Sequence, residues 1–157
     1  MIERKRASEI MSTELQAARK SRVESVEYDG VKYAEIIWAG MRVEQTTFFS
    51  PADSSFQFGL LAHKAGFVEP PHYHKPVSRM IDDLQQMFVV QRGVVAVLLY
   101  SDQGDLLREI IMNPGDGIVL IHGVHAIRVI EDMQCISVKQ GPFLGTVNDK
   151  INVKVSG

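Results

Sequence analysis

From residue 23 to residue 139 the chain is written in short runs of β-branched, aromatic and aliphatic residues, cut at regular intervals by turn formers. The runs fall at 23–28, 32–37, 41–49, 55–62, 72–75, 86–91, 94–100, 106–112, 117–121, 125–130 and 133–139. Between them stand Asp29 and Gly30, the stretch 50–53, Lys64 to Gly66, Arg92 and Gly93, the stretch 102–105, Pro114 to Asp116, and Glu131 and Asp132. So many short strands with so little chain between them leave no room for crossover helices, which predicts an all-β sandwich or barrel. Asp-Gly is a favoured centre for a two-residue hairpin because both positions take positive φ, so 23–28 and 32–37 are expected to form an N-terminal β-hairpin.

Only the ends depart from this pattern. Ile10, Met11, Leu15 and Ala18 are spaced for one amphipathic helix within 1–20, with Ser8 as its cap. The tail alternates at 151–155 and reads as an added edge strand. A chain of 157 residues is enough for one domain, burying roughly two-thirds of the surface its unfolded form exposes. The expected organisation is a helical extension at 1–22, N-terminal strands at 23–55, a barrel core at 56–140 and a tail at 141–157.

Composition narrows the function classes. The longest apolar runs are far shorter than the roughly 20 residues of a membrane-spanning helix, and the charged N-terminal residues leave no apolar stretch for a secretion signal. The single cysteine, Cys135, has no internal partner, which suits a reducing compartment, so the expected location is the cytoplasm. Cys135 is expected to pack rather than react. A net charge of −2, with no basic cluster after Arg22, lacks the electrostatic footprint of a nucleic-acid binder. The expected partner is a small molecule.

The five histidines are unevenly placed. His72 and His74 follow Pro70 and Pro71, which favour extended backbone, and residues i and i+2 of an extended segment point to one side. Two neighbouring imidazoles can begin a site for Zn, Fe, Ni, Cu or Mn. Further along, six residues separate Gln86 from Gly93, and eight separate Asp116 of the Pro114, Gly115, Asp116 turn from His125.

Together these residues resemble the two motifs of the cupin superfamily. Gly66, His72, His74 and Gly93 are similar to its first motif, and Pro114, Gly115, Asp116 and His125 to its second. The resemblance covers roughly residues 56–140. It implies a double-stranded β-helix, a jelly-roll barrel, holding one divalent transition metal ion through His72, His74, Gln86 and His125. Two departures stand out: the eleven residues from 75 to 85 make an enlarged loop, and Gln86 occupies the usual position of a glutamate. A neutral amide leaves the charge of the ion uncompensated, so binding is expected to be weaker and an anionic ligand favoured. Gln86 also cannot act as a general base. His63 and His122 are expected to lie outside the metal shell, with His122 as the substitute should His125 face outward.

Period-two alternation puts Phe88 and Val90 on the face of Gln86, and Ile127 and Val129 on the face of His125. Phe88, Gln85, Ile127, Arg79 and Lys139 are the candidate pocket residues, Arg79 as a clamp for a carboxylate or phosphate. Three functions remain open. One is a metal-dependent enzyme of dioxygenase or isomerase type, with no particular catalytic residue indicated. The second is a non-catalytic binding or sensing module whose metal holds an anionic ligand. The third is a nucleotide-sugar epimerase or isomerase-like protein using a histidine as base, against which three converging histidines argue. Barrels of this kind pair through edge strands, and a homodimer is expected.

Overall fold

The computed structural model describes residues 22–155. The helix expected within 1–20 lies outside the described residues. The remainder is mostly antiparallel β structure joined by irregular segments. Its strands are β1 (Glu24–Tyr28), β2 (Val31–Ile37), β3 (Thr47–Phe48), β4 (Gly59–Leu60), β5 (Gln86–Tyr100), β6 (Leu106–Met112), β7 (Gly117–Leu120) and β8 (Val124–Lys139), followed by one helical turn, α1 (Thr146–Asp149). No described helix is long and apolar enough to cross a membrane.

The N-terminal hairpin forms as expected. Asp29 and Gly30 carry φ of 51° and 76°, the paired positive values the tight turn requires, and β1 lies antiparallel to β2. The main sheet runs β1-β2-β7-β5-β6, with β8 along the other edge of β5. The expected strands 86–91 and 94–100 join into the single long β5, and 125–130 and 133–139 join into β8. Their junction is a bulged bend at which the register shifts repeatedly between Val90 and Val95. Gly93 makes the bend possible: its φ is 80°, and a Cβ there would lie 2.2 Å from the Asp132 carbonyl oxygen.

That bend curls the sheet. Gln86 pairs with Lys139 and Leu99 with His125, and the intervening strand would measure about 43 Å if straight. Yet Leu120 lies beside Gln86, Val124 lies beside Tyr100, and only residues 121–123 connect Leu120 to Val124. So short a link spans at most about 14 Å. The β5–β8 ribbon therefore folds back on itself, bringing its two ends together in a curled half-barrel.

The concave face holds the main apolar cluster, including Ala34, Ile36, Val90, Val97, Leu99, Met112 and Ile118, all at most 1% exposed. Across the concavity, Glu24 of β1 meets the Arg108 guanidinium of β6 and accepts a hydrogen bond from Trp38 Nε1 at 3.1 Å. These strands stand at opposite ends of the sheet order, so the contact draws its two margins together. On the convex face, Ile37, Phe58 and Val119 form a second cluster under Phe49, Phe56 and Leu60.

A carboxylate fastens the turn between β6 and β7. Asp116, 2% exposed, accepts hydrogen bonds from the Asn113 N–H at 2.8 Å and the Ala39 N–H at 2.9 Å. It ties this turn to the chain leaving β2.

Four expected strands are shorter or absent. The run at 41–49 pairs only at Thr47–Phe48 and that at 55–62 only at Gly59–Leu60, because much of their apolar content covers the convex cluster rather than joining a ladder. Residues 61–84 form an exposed arm with no strand, including 72–75. Pro70, Pro71 and Pro76 bracket that segment and have no N–H to donate to a ladder. The alternating tail is likewise no strand: after α1 it passes over the β5–β6 turn, and a Cβ on Gly104 would come within 3.0 Å of the Lys154 carbonyl oxygen.

If the Glu24–Arg108 contact closes the curl, a double-mutant cycle of Glu24→Ala and Arg108→Ala in urea denaturation will give a coupling of about 1–3 kcal/mol. A coupling near zero would mean that the margins do not meet.

Candidate functional site

The alternation expected on β5 and β8 holds in the structure. Gln86 and Phe88 lie across from Leu120 and Ile118 of the concave cluster, and His125, Ile127 and Val129 lie across from Leu99, Val97 and Val95. Both sets therefore face the concavity. Phe88 and Ile127 pack onto the apolar cluster deeper in the curl, whereas Gln86 and His125 stand at its mouth.

There Gln86 and His125 line a cavity of about 310 Å³ with Asp82, Asp83, Leu84, Leu120, Ile121, His122 and Gly123. A second cavity of about 570 Å³ shares Leu84, Gln86, Gly123 and His125, and is completed by Asp102, Lys139, Asp149, Lys150 and other residues up to Val153. The two are lobes of one mouth, divided by the wall that carries Gln86 and His125.

The Gln86 amide is oriented by a hydrogen bond from Nε2 to Ser137 Oγ at 2.9 Å, which turns its acceptor oxygen away from that partner. His125 keeps much of its surface accessible, yet desolvation lowers its pKa below the usual imidazole value, and the Lys150 charge adds to the effect. The neutral imidazole that results near pH 7 is the form that binds a cation. Asp83 is held below its usual pKa, first by the Gln85 side chain and then by Ser55, whose bonds measure 2.5 and 2.8 Å. His122 Nε2 sits 3.1 Å from Asp102, and its ring meets the edge of Tyr33.

His72 and His74 lie together on the exposed arm, their ring centroids 5.4 Å apart. His72 Nδ1 donates to the Pro70 carbonyl at 3.0 Å, which leaves Nε2 as the free donor atom. Neither lines the mouth, and among the described residues no three His, Cys, Asp or Glu side chains gather closely enough to hold a metal ion. The four expected ligands thus form two pairs, His72 with His74 and Gln86 with His125.

The other expected site residues divide in the same way. Lys139 lines the larger lobe, 3.3 Å from Asp149 and over the ring of Phe143. Gln85 is a buried fastener, donating its side-chain amide to Asp83 and its backbone N–H to the Gln140 side-chain oxygen at 2.6 Å. Arg79 lines a separate cavity with Asp53, Ser55 and Met80. His63 stacks on Phe67 away from the mouth. Cys135 packs beneath Met133 against the concave cluster, and burial raises its thiol pKa.

Sequence reasoning missed Asp82, Asp83 and Lys150 at the mouth. The first two sit in an irregular loop and the third in the tail, where no periodicity indicates direction. No family model, curated protein or solved structure matches the chain.

In metal-stripped protein, an NMR titration should find His125 titrating below pH 6.5, the ordinary value. Between those two pKa values the unfolded chain binds more protons at this position, so stability falls as pH drops through that window. His125→Asn should lessen that fall. Titration of His125 at or above 6.5 would contradict the desolvated setting described for it.

Proposed function

We propose that this chain is a cupin-type metal-binding protein that holds one divalent transition metal ion at the mouth of its curled sheet and takes a small organic ligand there. The observation that carries this reading is the convergence of Gln86 and His125, from opposite ends of the folded ribbon, on one concave wall. The strand pairing supports the double-stranded β-helix: one half of β5 lies between β7 and β8, the other between β6 and β8. The arm at 61–84 would supply the missing wall. Inward-facing Val129 is 52% exposed on that open side, and among the described residues the outer edge of β8 pairs with no strand.

The donor chemistry fits such an ion. His72 keeps Nε2 free through its bond to Pro70, Gln86 keeps its oxygen free through its bond to Ser137, and His125 favours its neutral form. Docking of the arm along the Val124 end of β8 would carry His72 and His74 toward His125. When bound, a divalent ion with three imidazole ligands supplies Lewis acidity and open coordination positions for an oxygen-bearing ligand. The chain's own residues would exclude water from below through Phe88 and Ile127, and Asp82 offers a carboxylate beside the same wall.

Asp82 favours an enzyme, of dioxygenase or isomerase type, because it provides an acid-base group at the mouth. The neutral Gln86 favours the second reading, a binding or sensing module. A homodimer is part of the proposal: Ile136 and Val138, 47% and 46% exposed on the convex side of β8, offer an apolar margin to a second copy, which a monomeric mass in solution would contradict.

Metal analysis of untagged protein should find close to one ion per chain, with at least a tenfold loss of affinity in both His72→Ala and His125→Ala. Stoichiometric metal retained by both variants would refute the ligand assignment.

A further inference from the structure

The larger lobe of the mouth is built by the C-terminal segment, and its charges are unevenly committed. Lys139 is paired with Asp149, whose side chain is 6% exposed and also accepts the Leu144 N–H at 3.1 Å. Asp102, the other carboxylate of this lobe, faces His122 at 3.1 Å. Both carboxylates are therefore engaged. Lys150, which lines the lobe beside His125, has no ion-pair partner among the described residues. Its position is set by α1, where its N–H bonds to the Thr146 carbonyl at 3.0 Å, and by the Lys139–Asp149 pair that anchors the helical turn to β8.

The smaller lobe carries carboxylates and no lysine or arginine. Asp82 and Asp83 line it, and Asp83 is already bound to Ser55 and Gln85. A ligand spanning both lobes across Gln86 and His125 would meet an unpaired ammonium at one end and carboxylates at the other. An ammonium selects a carboxylate. Carboxylates accept hydrogen bonds and so select hydroxyl or amine donors.

We infer that the mouth binds a small polyhydroxy acid, its carboxylate held by Lys150 of the C-terminal segment and its hydroxyl groups directed toward Asp82 in the opposite lobe. This deepens the ligand-binding reading above, of which it takes the site but not the metal. The C-terminal segment is then a specificity element, and Lys139 and Asp149 are positioning residues that fix Lys150 in place.

The test uses calorimetry on the full chain after metal removal, so loss of the metal reading would leave its outcome intact. Three probes separate the chemistry: gluconate carries both features, glucose only hydroxyls, hexanoate only a carboxylate. Gluconate should bind at least tenfold more tightly than either of the others. Lys150→Glu should weaken gluconate by about tenfold or more, the scale of one charge-assisted hydrogen bond, without changing the weak binding of glucose, and Lys150→Arg should largely restore it. The inference is overturned if gluconate binds no better than glucose, or if Lys150→Glu binds gluconate as the unaltered protein does. Separate metal analysis of Lys150→Glu should give the same stoichiometry as the unaltered chain.

Discussion

The fold-back of the β5–β8 ribbon is the constraint on which the rest of the molecule depends. Two strands of 15 and 16 residues, paired along nearly their whole length, would make a long open blade if they ran straight. Bending at Gly93, against a carbonyl that leaves no space for a side chain, turns the blade into a concavity. The short link from Leu120 to Val124 then holds its ends together. Apolar residues fill the bottom, and the Glu24–Arg108 contact draws in the margins. A polar mouth over an apolar floor results from one bend and one short connection.

The chemistry of the mouth follows from which residues occupy the ends of that ribbon. Positions at the ends of β5 and β8 are far apart along the strands but adjacent in space, so Gln86, Lys139 and His125 face one another around the mouth. The same closure brings in the loop before β5, with its aspartates, and the segment after β8, with Lys150. Aspartates from one loop and a lysine from the other segment therefore flank a wall of neutral nitrogen and oxygen donors. Such an arrangement suits a polar ligand with distinct ends better than a symmetric or apolar one.

Much of the framework was legible because it rests on local rules. Asp29 and Gly30 specify their hairpin through positive φ, and the run 106–112 forms a strand with those same limits. Period-two alternation assigned Gln86, Phe88 and Val90 to one face and His125, Ile127 and Val129 to another, and both prove to be the concave face. What local rules miss is contact across long stretches of chain. The Glu24–Arg108 contact, the anchoring of the tail by Lys139 and Asp149, and the placing of Asp82 and His125 around one cavity leave no periodic trace. Within the arm, the segment 72–75 departs from its expected strand for a related reason: β-forming residues such as His72 to His74 need a partner edge, and the prolines around them weaken any ladder.

The central claim is that the arm closes on the mouth so that His72 and His74 share one cation with His125. Its most direct test is a crystal structure of the metal-loaded protein with anomalous scattering recorded at the absorption edge of the bound element. The account predicts a single strong anomalous peak within coordination distance of all three imidazoles, with the arm laid along the Val124 end of β8. A peak held by His72 and His74 alone, remote from His125, would contradict it.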